Sequence, residues 1–237
     1  MELIEDLVLG NRILAQQGVL DGYGHISARQ SERSDRFLMS RSLAPEMVTA
    51  ADILEYDLDG NAVDPRGRVS YLERFIHAAI YKARPDVQSV VHNHSPSVIP
   101  FGVSSIPLRP LYHMAAFIGS GLPVFDIRKY SGVTDMLVTD LDRARGLVEV
   151  LGNNDGVLMR GHGSAVVGPN IRFAVGRSIY LELNAKLQVQ AVSLGGSVTY
   201  LDPEEATAVK TSGELVGYTR PWELWKKKAL QTMQGER

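Results

Sequence analysis

Leu3, Ile4, Leu7, Val8 and Leu14 recur at helical spacing, which predicts an amphipathic helix over residues 3–17 that ends before Gly18. The period then shortens. His25–Arg29, Arg36–Ser40 and Ile53–Leu58 are strand-like runs, and the Asp59-Gly60 pair marks a turn after the third. Leu72, Phe75, Ile76, Ala79 and Ile80 return to helical spacing, and Pro85 sets the limit of that second helix. Val87–His94 is apolar and rich in β-branched residues, the pattern of a buried strand. Leu137, Val138, Leu141, Leu147 and Leu151 predict a helix over 134–151, and residues 171–194 predict a longer one. Between them, Gly156–Met159 and Ala165–Val167 read as a hairpin around Gly161-His162-Gly163. From Val198 onward the chain is a largely polar tail that carries Trp222 and Trp225.

Helices and strands alternate irregularly, with hairpin signals and no internal repeat or linker. That order predicts a single α/β domain over 1–237, with a mainly antiparallel sheet, helices on its faces and 198–237 as a C-terminal tail. Charged residues make up 22% of the chain and the formal net charge is −2, so nothing calls for nucleic acid or an anionic membrane. No apolar stretch approaches the roughly 18 residues of a membrane span. The acidic start, Met1-Glu2-Leu3-Ile4-Glu5-Asp6, argues against a secretory signal, and the expected compartment is the cytoplasm. Cysteine is absent, which removes disulfides, thiolate metal sites and thiol catalysis together.

Any metal must therefore sit on His, Asp or Glu, and the histidines carry the most information. They are His25, His77, His92, His94, His113 and His162. A lone histidine is more often a surface or hydrogen-bonded core residue than a ligand. His92 and His94, however, sit two apart in an apolar strand, so both leave one face, and burying two unpaired imidazoles is costly. The pair therefore favours a metal. His162 is a natural third ligand, because glycines on both sides let its backbone come close to a site. Glu73 and His77 are four apart on the preceding helix and would share a face, either as an ordinary solvated pair or with Glu73 as an acid, base or extra ligand.

Taken in order, Glu73-x-x-x-His77, Ala83-Arg84-Pro85-Asp86, Val90-Val91-His92-Asn93-His94-Ser95 and Arg160-Gly161-His162-Gly163 resemble the class II aldolase/adducin family. The likeness runs from about residue 3 to about residue 195 and includes Gly24-His25-Ile26-Ser27-Ala28-Arg29. It implies an α/β/α sandwich around a mostly antiparallel sheet. It further implies a divalent metal on His92, His94 and His162, with Glu73 as acid/base or a further ligand. The family's enzymes are usually fourfold-symmetric tetramers with sites at subunit interfaces. His113 lies in a segment often sent to a neighbouring site, and the tail is a candidate lid over one.

The chain departs from the family's sugar-phosphate members where they bind phosphate. The corresponding positions are His25, the run Ser40-Arg41-Ser42, and Tyr71-Leu72 in place of a pair of serines. Bulk replaces small hydroxyl donors. Arg41 adds a planar fork suited to a carboxylate, and Tyr71 can line a flat ring. These features are similar to the family's branch of decarboxylases acting on hydroxylated pyridine or benzene dicarboxylates, as is Arg220-Pro221-Trp222-Glu223-Leu224-Trp225. The expected substrate is thus an aromatic carboxylate, bound by His25, Ser40, Arg41, Ser42 and Tyr71. Glu73 and His113 are the candidate acid/base groups, and the metal is Mn²⁺ or Zn²⁺, with Fe²⁺ or Co²⁺ also compatible. An aldolase or epimerase acting on a sugar phosphate or 2-keto acid is the competing expectation. A non-catalytic scaffold, as in adducin heads, and an oxygenase of prenylated aromatic acids are further ones.

Overall fold

The computed structural model describes residues 2–213 and 217–235. Seven strands form one sheet: β1 (His25–Arg29), β2 (Arg36–Ser40), β3 (Ile53–Asp57), β4 (Ser89–Asn93), β5 (Val124–Phe125), β6 (Gly156–Met159) and β7 (Gly163–Gly168). Their order is β3-β2-β1-β4-β7-β6-β5. Every neighbouring pair is antiparallel except β5–β6, so the sheet is mostly antiparallel.

Alternation along the strands divides the core into two faces. Phe37, Met39, Val90, Ala165 and Val167 point to one face, where α2 (Arg74–Ala83) and α5 (Leu141–Leu151) cover them. Ile26, Ala28, Leu38 and Val91 point to the other, under α1 (Glu2–Gln16), α6 (Ile171–Ser193) and the C-terminal helix. On that second face, Leu158 and Val166 meet α3 (Ile99–Val103) and a 3-10 segment, His113–Ile118. The result is the α/β/α sandwich expected of the sequence.

The helix expected over 134–151 begins only at Leu141. Asp140 caps it, its side chain accepting the Arg143 backbone N–H at 2.8 Å. Before the cap, Thr134 and Asp135 accept the N–H groups of Met136 and Leu137, and Met136 has φ of +69°. These local side-chain bonds satisfy the backbone without a helix and leave 134–140 as a loop. Leu137 and Val138 fit the helical period, yet they serve the site rather than a helix face.

The tail, too, is more ordered than its polarity suggests. After α4 (Arg128–Ser131), α5 and α6 come α7 (Pro203–Thr211) and α8 (Thr219–Gly235). Asp202 and Glu205 form a capping box on α7, and Lys210 pairs with Asp155 of the body. Trp222 and Trp225 are buried in the core face shared with α1. The expected tail also includes residues 214–216 and 236–237, which lie outside the described residues. No helix among the described residues is long and apolar enough to cross a membrane.

Candidate metal centre and active site

Strand β4 places His92 on the same face as Val90, under α2, with no exposure. Its Nδ1 lies 3.1 Å from the Ser164 carbonyl oxygen, which can only accept, so Nδ1 carries the proton and Nε2 carries the free lone pair. His94 follows one residue past the strand end, and its ring lies 5.0 Å from that of His92. His162 enters from the β6–β7 turn, its ring 5.0 Å from each of the other two. Glycine is required there: a Cβ on Gly163, whose φ is +155°, would come within 1.9 Å of the Asn93 carbonyl oxygen.

Glu73 completes the cluster from the N-terminal end of α2. It is the residue before the first helical turn, with φ −92° and ψ 19°. Its Oε1 accepts the Val138 backbone N–H at 2.9 Å, and its Oε2 lies 3.4 Å from His92 Nε2 and 3.3 Å from His162 Nε2. One ligand atom from each of Glu73, His92, His94 and His162 falls within 4.8 Å of all the others. Here the structure changes the sequence reading. Because Glu73 precedes the helix, it does not share a face with His77 but turns towards His92 and His162.

The chemistry of this set fits a divalent cation. Nε2 of His92, Nε2 of His94 and Nδ1 of His162 are buried without a hydrogen-bond partner, a costly arrangement that a cation relieves wherever it takes the lone pair. Burial and the neighbouring His92 and His162 rings push His94 down to about 4, keeping it neutral and able to ligate. Burial alone would raise the Glu73 carboxyl, but the neighbouring His92 and His162 rings outweigh it. Glu73 is therefore held well below the usual carboxylate range, as an anion.

The cluster borders a cavity of about 310 Å³, whose walls include Tyr23, His25, Ser42, Leu43, Tyr71, Leu72 and Leu137 as well as Glu73 and His94. Aromatic rings and leucines are joined there by a few polar groups, the make-up of a pocket for a flat, functionalised molecule. His25, Ser42 and Tyr71 line the cavity. Ser40 stands behind the wall. Its hydroxyl donates to the Tyr71 phenol oxygen at 3.2 Å, while the phenol donates to the Leu43 carbonyl. Arg41 turns aside: its Nε is 2.7 Å from Asp52 Oδ1, and it is not part of the wall. His113 lines a separate cavity with Tyr180, Arg220 and Leu224 and is not gathered with the metal-site groups.

His77 has a place that the sequence reading missed. It is fully buried, with Nε2 2.7 Å from His25 Nδ1 and Nδ1 2.6 Å from Ser27 Oγ. Ser27 Oγ is in turn 2.7 Å from the Tyr81 hydroxyl. The signal was present: His25 and Ser27 are two apart on a strand, and His77 and Tyr81 four apart on a helix, so each pair occupies one face. Burial and the neighbouring His77 and His92 hold His25 well below its ordinary value, and burial brings His77 down to about 3.

Residues 5–189 match the family model described as Class II Aldolase and Adducin N-terminal domain. The chain is 37% identical to a protein named decarboxylase tropJ from Talaromyces stipitatus, over 94% of this chain and 92% of that one. It is 29% identical to a 3,4-dihydroxyphthalate decarboxylase from Arthrobacter keyseri, over 92% and 90% of the two chains. Among solved structures, an L-fuculose 1-phosphate aldolase from Glaciozyma antarctica superposes with a TM-score of 0.79 and 25% identity, covering 99% of this chain and 90% of that one. The chain belongs to the class II aldolase and adducin family, and its named relatives include the family's aromatic decarboxylases.

Proposed function

We propose that this member of the class II aldolase and adducin family is a divalent-metal-dependent carboxy-lyase acting on a hydroxylated aromatic dicarboxylate, of pyridine or benzene. The carrying observation is the convergence of Glu73, His92, His94 and His162 on a cavity walled by Tyr23, Tyr71 and leucines. The decarboxylases at 37% and 29% identity support the reading. His92, His94 and His162 would hold the metal, Mn²⁺ or Zn²⁺ by its donor set, with Fe²⁺ or Co²⁺ also compatible. When bound, such a metal supplies a Lewis acid for adjacent substrate oxygens and a sink for the electrons left when a C–C bond breaks.

This chain's own groups do the rest. Tyr71 and the leucines hold the ring flat and keep water from it. Glu73, fixed by Val138, stands where it can take up a proton and return it to the ring carbon that bears the departing carboxylate. Protonation there breaks aromaticity; when the C–C bond breaks, its electrons pass into the ring, carbon dioxide leaves, and the ring is aromatic again with the added proton in the carboxylate's place. The terminal nitrogens of Arg41 make no bond among the described residues. Those nitrogens would take the second carboxylate, since Arg41 is the chain neighbour of Ser42, which lines the cavity. In a homotetramer with sites at subunit interfaces, His113 would serve a neighbouring cavity as a second acid/base group, and α8 would lie over it.

The test is CO₂ release by Mn²⁺-loaded protein from dihydroxyphthalates and hydroxypyridine dicarboxylates. Release that a chelator abolishes and added metal restores supports the reaction class. No release from any of them shifts the reading to aldol chemistry on a sugar phosphate or 2-keto acid, which the likeness to L-fuculose 1-phosphate aldolase favours. Formation of a 2-keto product would then identify that activity.

A further inference from the structure

Four side chains that the proposed reaction does not use form an unbroken chain from the cavity wall into the core. His25 borders the cavity and is 4% exposed; His77, Ser27 and Tyr81 behind it are 0%, 0% and 1% exposed. The links are His25 Nδ1 to His77 Nε2, His77 Nδ1 to Ser27 Oγ, and Ser27 Oγ to the Tyr81 hydroxyl, at 2.7, 2.6 and 2.7 Å. A neutral imidazole has one N–H and one lone pair, and a serine hydroxyl has one proton. The serine oxygen also has two lone pairs and could accept twice, so the possible proton arrangements are told apart by requiring an acceptor for every buried proton.

The inner end selects between them. The Tyr81 hydroxyl is buried and has Ser27 Oγ as its hydrogen-bond partner among the described residues, so Ser27 is the acceptor for the phenol proton. Burial makes the phenol a still weaker acid, so that proton stays in place. Ser27, receiving it, must donate to His77 Nδ1. His77 then carries its proton on Nε2 and donates to His25 Nδ1, and His25 is left with its own proton on Nε2. The strand and the helix enforce this, because β1 holds His25 and Ser27 on one face and α2 holds His77 and Tyr81 opposite them.

We infer that His77, Ser27 and Tyr81 fix His25 as a neutral Nε2–H donor to a substrate oxygen, making His77 a positioning residue and an oxygen acceptor a requirement of the substrate. No net proton leaves the chain, because its inner end is closed. The inference rests on the cavity being the substrate site proposed above. A carboxylate, phenolate or carbonyl oxygen satisfies the donor; a molecule offering only N–H or C–H at that point leaves a buried donor unpaired and is rejected.

Tautomers give the direct readout. In protein labelled with ¹⁵N-histidine and loaded with Zn²⁺, at neutral pH, His25 and His77 should both bear the proton on Nε2 and none on Nδ1. An Nδ1 proton on either ring overturns the inference. This measurement stands whether or not the protein releases CO₂, so failure of the reaction assay and failure of the relay are separate results. In kinetics, His77→Leu should lower kcat/KM about 100-fold, the cost of a lost preorganised donor, at unchanged metal content. His77→Gln, whose amide N–H can still donate to His25 Nδ1, should recover most of that loss. A His77→Leu protein with full metal content and wild-type kcat/KM overturns the inference. Should that variant not fold, Tyr81→Phe removes the end that sets direction and should admit an Nδ1 proton on His77; an unchanged spectrum overturns the inference.

Discussion

The Oε1 atom of Glu73 accepts the backbone N–H of Val138 at 2.9 Å, tying one half of the carboxylate to the loop before α5 while Oε2 faces His92 and His162. A residue set at a helix end would otherwise swing freely. The loop converts it into a fixed group beside the candidate metal ligands.

Glu73→Gln keeps an oxygen for the Val138 N–H but loses the charge and the proton-transfer capacity. Metal content should persist while turnover falls by about 10²–10⁴-fold, the usual weight of a general acid or base. Metal analysis beside a CO₂ assay checks this; an active variant assigns the acid role to another group.

His92 is the ligand whose ring is most firmly oriented, through Nδ1–H and the Ser164 carbonyl. His92→Ala should abolish metal binding and turnover together. Elemental analysis of the purified variant decides it, and retained stoichiometric metal removes His92 from the ligand set.

Arg41 has its Nε on Asp52 and its terminal nitrogens uncommitted among the described residues. If those nitrogens take a second carboxylate, Arg41→Ala should raise KM about 10–100-fold for a dicarboxylate, the value of a charge-assisted contact. KM for an analogue without that second group should not change. Equal effects on both substrates would mean that Arg41 acts only through Asp52.

His25 and His77 are buried and neutral when folded, His77 titrating at about 3. In the unfolded chain each takes a proton near pH 6.5, so below that pH the unfolded state binds more protons and gains on the folded one. Metal-free protein should therefore have its full stability above about pH 6.5 and lose it as pH falls, with a limiting slope of about 1.4 kcal/mol per pH unit per buried histidine. Urea unfolding in chelator at neutral pH and at about pH 5 tests the sign; equal stabilities contradict it.

Trp222 is 2% exposed and sits between α8 and the α1 face of the core. Trp222→Ala should cost about 3–5 kcal/mol in urea unfolding, the range for emptying a buried aromatic site. A loss within experimental error would mean that α8 does not stabilise the body.

Much of this molecule was legible in its residues. Short strand-like runs marked β1 to β3 and the β6–β7 hairpin, and an apolar, β-branched run marked β4, because a strand buried on both faces favours such residues. His92, His94 and His162 stood out for the same local reasons, an apolar strand with two imidazoles on one face and a histidine between glycines. Strand β5, two residues long, had no such pattern to show. The helicity of the tail was masked by its polar composition, although Trp222 and Trp225 carry its buried face.

Side-chain partnerships were decided elsewhere. Local spacing set Glu73 beside His77, and the fold separated them, since Glu73 lies before the first turn of α2 and a loop sixty-five residues away supplies its hydrogen bond. The same fold turned Arg41 to Asp52 and joined His77 to His25 across fifty-two residues. Sequence alone determined most of the strands, the longer helices of the body and which residue types could bind a metal, because these follow from local period and donor chemistry. Only the tertiary structure decided which donor meets which acceptor, because that depends on how far apart segments are brought and on which polar atoms burial leaves without water.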